Sequence, residues 1–320
     1  LDDVYFDASS LAANDSVYLV NDNVFMKRFS ASGIPSTCTF YGTKLTVDGD
    51  FILQSDLNWR VTTLFLSATV NSNLECASDL TYLDIYSTAT YTLLSDLHMT
   101  QMFLEGGGLD MSNRNVYALS MSAYPLTTTT MTNAHLFMKE YFIDGTTPGS
   151  TTATLTMDAA NSRIYRSANF GVVEFLYGGT VDSNLTANLL TNNETVYLGN
   201  NNNIHNLFAN GNLVVSGDNS VDSLILGGNC RSFLQDPGKT MTVNNVFSAY
   251  GASCSDFIEV KCSNAALQTN IVQSNANPAC HMSLRSVKEG ESTRRREALG
   301  DEPSRLPVLP SSRLLDYARI

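Results

Sequence analysis

One short triplet returns three times with a carboxylate at its centre: Ser55-Asp56-Leu57, Ser78-Asp79-Leu80 and Ser95-Asp96-Leu97. If its copies hold equivalent places in stacked repeats, three carboxylates form a column, which is costly unless a cation neutralises it. Asp48 with Asp50, and Asp2 with Asp3, are the other close acidic pairs. Two or three carboxylates on one face, or a carboxylate-held Ca2+ beside an arginine base, would suit polysaccharide cleavage. Arg60 and Arg114 are the arginines such a site would draw on. The competing reading is turn chemistry, in which Asp bonds nearby backbone, and Asp56, Asp79 and Asp96 are read that way here.

Other chemistry-bearing patterns are thin. Gly106-Gly107-Gly108-Leu109-Asp110 is a single echo of the Ca2+-roll nonapeptide, which works only in tandem copies. His98, His135, His205 and His281 are far apart, and no Cys-x-x-Cys pair exists, so zinc spacing is absent. No P-loop, dinucleotide fingerprint, Gly-x-Ser-x-Gly or His-Glu-x-x-His occurs. The expectation is therefore no catalytic, cofactor-binding or metal-binding residue, and no cofactor.

Cys38, Cys76, Cys230, Cys254, Cys262 and Cys280 are candidate disulfide cysteines. An even count in an Asn/Thr-rich chain fits an oxidising compartment, and the last four, within residues 230–280, suit one or two bonds. Buried free thiols are the alternative. Trp59 and the tyrosines offer a sugar-stacking platform, against a default of core and ladder positions. Asn184-Leu185-Thr186 and Asn193-Glu194-Thr195 fit the glycosylation sequon, which an Asn-rich composition also produces.

What must position these groups is a β framework. Charged residues are only 16% and hydrophobic ones 43%, enough for a packed core. Ser, Thr and Asn favour turns over helices, and Thr, Val, Tyr and Phe suit pleated surfaces. Strand-like runs over 44–53, 62–66, 116–121, 171–177, 212–216 and 241–246 alternate with Gly/Asn/Asp turns. The triplet spacings are 23 and 17 residues. Longer echoes pair Asp15-Ser16-Val17-Tyr18-Leu19 with Glu194-Thr195-Val196-Tyr197-Leu198, and Gly108-Leu109-Asp110-Met111-Ser112 with Gly238-Lys239-Thr240-Met241-Thr242.

This recurrence predicts an all-β fold: a right-handed parallel β-helix, or solenoid, with imperfect coils of about 20 residues, over 1–287. Two antiparallel β-sandwiches are the alternative. Residues 288–320, with Arg294-Arg295-Arg296, Pro303, Pro307 and Pro310, lose the alternation and read as a charged tail, disordered or foreign to the repeat.

The net charge is −12, and residues 1–286 hold 12 Lys+Arg against 25 Asp+Glu. Such a body repels phosphate, so nucleic acid is not an expected partner. Apolar runs fall short of a membrane helix. The start at Leu1 without Met reads as a fragment or a processed chain.

Residues 2–7, Leu45-Thr46-Val47-Asp48-Gly49, Tyr91-Thr92-Leu93-Leu94-Ser95-Asp96-Leu97 and residues 239–251, with Cys254 shortly after, resemble repeats of large secreted, adhesin-like surface proteins of gliding-type Bacteroidota. Residues 254–287, with Ser283-Leu284-Arg285-Ser286-Val287, resemble the closing coils of such units. The resemblance implies a β-helical segment of a type IX-secreted protein, and residues 288–320 do not match the sorting domain that should follow. The expected function is a non-catalytic structural or adhesive module, secreted or at the cell surface. It would serve as a rigid spacer or as a face for glycans or other cell-surface components. The alternatives are a polysaccharide-degrading β-helix enzyme, lyase or glycoside hydrolase, and a phage-type trimeric fibre.

Overall fold

A computed structural model describes residues 2–20, 23–54, 56–124, 128–143, 149–166, 168–249, 258–263 and 270–273. The described chain is all-β, with parallel strands stacked as a β-solenoid whose turns lie about 19 residues apart. The parallel solenoid is thus the architecture, and the antiparallel sandwiches are not. The tail over 288–320 lies outside the described residues, as do Cys254, Cys280 and His281.

Each coil has three faces. The first begins with Ser16–Tyr18 and continues through the opening halves of Thr39–Val47 and Asn58–Leu66. The second begins with Val24–Met26 and takes the closing halves of those strands. Asp3–Phe6, Arg28–Ala31, Phe51–Leu53 and Ser72–Cys76 open the third.

Period-two alternation decides which side chains go in. In Asn58–Leu66, Trp59, Val61, Leu64 and Leu66 are buried while Asn58, Arg60 and Thr62 face out. The alternation slips by one at Thr62-Thr63, where the chain turns from the first face onto the second. Inward residues stack coil on coil: Leu97, Val116, Leu136 and Leu155 form one column. Leu45, Leu64, Leu83, Met102 and Met121 form another. All nine are fully shielded from solvent, each contributing about 1.5–3 kcal/mol of transfer free energy.

The step between rungs varies, from 17 residues at Leu190↔Leu207 to 30 at Met241↔Ile271. This corrects the phase of the Ser-Asp-Leu repeat. Leu80 pairs with Met99, and Leu97 with Val116, so these two copies sit two residues out of register. An even offset preserves facing, which is why Leu57, Leu80 and Leu97 are all buried. Two of the triplet serines also act alike, each capping a backbone N–H of the coil before. Ser78 Oγ accepts from the Leu57 N–H at 2.8 Å, and Ser95 Oγ from the Cys76 N–H at 3.1 Å.

Asparagine makes many of the corners. Asn14, Asn113, Asn133, Asn161, Asn184 and Asn201 all adopt left-handed backbone, with φ between 53° and 69°. Asn tolerates this region because its short amide bonds locally. Asn133 Nδ2 also donates to Asn113 Oδ1 on the neighbouring coil at 3.1 Å. Corner chemistry and stacking of like side chains therefore both account for the Asn-rich composition.

Candidate functional site

The acidic residues singled out from sequence do not converge. Asp48 Oδ1 accepts from Ser67 Oγ at 2.7 Å, and Asp50 Oδ1 from the Asn73 N–H at 2.7 Å. Arg28, 3.9 Å away, is the cation beside Asp50. Arg60 instead donates to Asn58 Oδ1, and Arg114 to the Leu93 carbonyl. Asp2 and Asp3 are exposed, just before and at the start of the first strand.

Asp56, Asp79 and Asp96 form no column. Asp96 accepts from both the backbone and the side-chain nitrogen of Asn115, at 2.9 and 2.8 Å. Asp79 lies at a groove on the first face, described below. Asp110, from the Gly-rich echo of a calcium roll, accepts from the Ser112 N–H at 3.0 Å. Among the described residues, no three His, Cys, Asp or Glu side chains are grouped to hold a metal ion.

The cysteines are thiols where described. Cys38, Cys76 and Cys230 are buried and free, and Cys262 is half-buried and free. Each buried one donates to a carbonyl: Cys38 to Ala12, Cys76 to Ser78 and Cys230 to Ser232. Burial pushes the Cys76 thiol up to about 12 and the Cys230 thiol up to about 11. Such thiols act as small apolar core groups.

Trp59 is not a surface platform. It is 9% exposed and packs against Phe29, Phe40 and Phe51, with ring centroids 5.7–6.0 Å apart. Two groups of outward aromatics differ in arrangement. On the first face, His98, Tyr117 and Phe137 stack at 4.3 and 4.6 Å, and His135 closes on Phe137 at 3.9 Å. These rings cover one another and leave chiefly edges. His98, Tyr117 and Phe137 line a shallow groove of about 410 Å³ together with Asp79, Leu119, Lys139 and Asp158.

The second face carries a different strip. Phe25, Thr46, Phe65, Asp84, Phe103 and Ser122 are register partners on six successive coils. From Thr46 onward the spacing is uniformly 19 residues, so a search at that period would have found the strip. Rings alternate with small or charged groups. Lys44 Nζ stands 3.9 Å over the Phe65 ring. Asp84 Oδ1 is buried without a hydrogen-bond partner. Desolvation pushes the Asp84 carboxyl up to about 6; Glu105 adds to the rise and Lys44 opposes it.

That shift has a stability consequence. The folded-state pKa of Asp84 is raised, so between about pH 4 and 6 the folded chain holds more protons than the unfolded one. Stability therefore falls as pH rises through that window, then levels off. Asp84→Asn is expected to be more stable than wild type at pH 8 by on the order of 1–2 kcal/mol, allowing for partial solvent screening. At pH 3.5 the two should match. Urea unfolding at both pH values checks this, and a variant no more stable at pH 8 would contradict it.

Other coil-to-coil polar contacts run the length of the shaft. Arg163 forms a two-pronged pair with Asp182, and Asp218 Oδ1 accepts from the Thr240 N–H. Asp222 accepts from His205 Nδ1 and Asn244 Nδ2, and Asp236 from Ser263 Oγ. His205, Asp222 and Asp84 carried no sequence signal beyond an outward position. Compared with known proteins, the chain matches no protein family, no curated protein and no solved structure.

Proposed function

We propose that this chain is a non-catalytic structural and adhesive module: a rigid solenoid shaft that spaces and displays surface groups on a secreted or cell-surface protein. One observation carries the reading. Asp48, Asp50, Asp96, Asp182, Asp218, Asp222 and Asp236 are each spent on a hydrogen bond to a neighbouring coil. Carboxylates used this way stiffen a stack and are not poised for proton transfer to a substrate. The secreted location is supported by the resemblance to exported adhesin repeats and by an acidic surface suited to solubility. Among the described residues no helix is long and apolar enough to cross a membrane.

The test joins shape to turnover. Small-angle scattering of the full chain should give a rod, lengthening by about 4.8 Å per coil. Incubation with a panel of neutral and anionic polysaccharides should release neither reducing ends nor unsaturated products. Product release that Asp84→Asn abolishes would overturn the non-catalytic reading and favour the polysaccharide-degrading alternative.

A further inference from the structure

We propose that the outer strip of the second face, Phe25, Phe65 and Phe103 with Thr46 and Asp84 between them, binds an extended neutral polysaccharide laid along the solenoid axis. The proposal rests on the display reading above and names its ligand.

Spacing is the first argument. Each ring is separated from the next by one coil, so the rings recur at roughly 9.6 Å, twice the strand spacing of about 4.8 Å. An extended chain of equatorially linked pyranoses advances by nearly that distance per disaccharide. One sugar of each pair would meet an aromatic ring, and the other the polar coil between. An extended peptide, at about 3.4 Å per residue, has no such match.

Ring access is the second. The first-face rings touch in series and shield one another's faces. The second-face rings have Thr46 or Asp84 interposed, so they do not cover one another, although Lys44 Nζ stands over one face of Phe65. Phe25 is 55% exposed, and Phe65 and Phe103 are half-buried. A sugar's axial C–H face needs an apolar ring of this kind.

Polar groups beside the rings are the third. Thr46 is buried and hydrogen-bonded to Asn23 at 2.8 Å, and Asp84 is half-buried with its Oδ1 enclosed and unpartnered. Tyr82 and Gln101, partners in the adjacent outward column, add further groups for sugar hydroxyls. The same carboxylate argues against covering the strip with a second copy of the chain, since that would bury an unpaired charge. The net charge of −12 selects neutral over anionic chains.

The experiment uses the full chain with affinity electrophoresis in hydroxyethylcellulose, glucomannan and polygalacturonate. Calorimetry with cello- and chito-oligosaccharides of four to eight sugars accompanies it. Retention by a neutral polymer, none by polygalacturonate, and affinity rising in two-sugar steps are expected. Phe65→Ala with Phe103→Ala should weaken binding at least tenfold, while His98→Ala on the first face should leave it unchanged. Scattering on each variant confirms that the rod is intact. Absence of neutral-glycan binding by wild type, or equal binding by the double variant, would overturn the proposal. So would self-association that the double variant abolishes. Binding accompanied by product release would instead sink the non-catalytic reading and leave the strip standing.

Discussion

Replacing Gly199 by alanine is expected to lower the unfolding free energy by on the order of 3–4 kcal/mol. A Cβ at this position would stand 1.7 Å from the Asp182 carbonyl oxygen and 2.7 Å from its carbon. Both are backbone atoms of the preceding coil, so no side chain can simply swing aside. Pairing on either side, Val181↔Leu198 and Ser183↔Asn200, holds the two strands at this approach. Relief requires prising the coils apart, which adds lost backbone hydrogen bonds to the overpacking cost. It would also disturb Asp182, whose carboxylate pairs with Arg163. Gly199 does not have a left-handed φ, so the penalty is steric.

Because solenoid stability is close to a sum over neighbouring repeats, the damage should be local. Limited proteolysis is expected to cut the variant near residues 182–199 while the flanking coils stay protected. An unchanged unfolding midpoint with unchanged protection would mean that this junction has room for a methyl group.

How much of this was readable beforehand depends on which property is asked for. The period was legible, because every coil must return the same inward positions, and strand runs such as 62–66 and 241–246 announce themselves by alternation. The phase was not. Insertions at corners change the step between rungs without disturbing facing, so Asp79 and Asp96 share a motif but not a register. The echo of residues 15–19 in 194–198 shows the same limit. Val17 pairs with Phe40 on the first face, whereas Val196 pairs with Leu213 on the second. A short strand followed by an Asn turn is reused wherever the chain must bend.

Trp59 is the instructive case among site residues. Aromatic chemistry suggested a platform, yet its flanks, Asn58 and Arg60, already mark it as an inward position. Local alternation outranks residue type, because reversing it would bury both flanks. The second-face strip was missed for the opposite reason. Phe65, Asp84 and Phe103 are far apart in sequence and become neighbours only once the 19-residue step is known. The cysteines were candidate disulfide residues by count and composition, with buried free thiols as the alternative. Cys38, Cys76 and Cys230 are buried free thiols in the core, a placement that spacing alone does not reveal, while Cys254 and Cys280 lie outside the described residues.

Asn202→Ala is the second large effect, expected to cost on the order of 3 kcal/mol. Asn202 is 1% exposed. Its Oδ1 accepts from the Leu185 N–H at 2.9 Å, and its Nδ2 donates to Asn219 Oδ1 at 2.8 Å. Asn219 Nδ2 in turn donates to the carbonyls of Gly199 and Gly217 at 2.8 and 3.0 Å. The two amides thus link successive coils inside the shaft, where an unmet group costs about 1–3 kcal/mol. Truncation strands the Leu185 N–H and removes half of the ladder's side-chain pair.

Asn202→Asp separates loss of hydrogen bonds from loss of volume. It keeps the acceptor for Leu185 but sets a carboxylate oxygen against Asn219 Oδ1, acceptor against acceptor. Burial and that repulsion would hold the new carboxyl's pKa far above its unfolded value. Its folded form therefore keeps a proton that the unfolded chain loses, and the deficit should grow as pH rises from about 4. Below that, the neutral acid can donate to Asn219 as the amide did. Unfolding midpoints should thus show the Asp variant recovering toward wild type at acid pH while the Ala variant does not. Parallel pH profiles for the two would mean that Asn202 matters for its volume and not for the ladder.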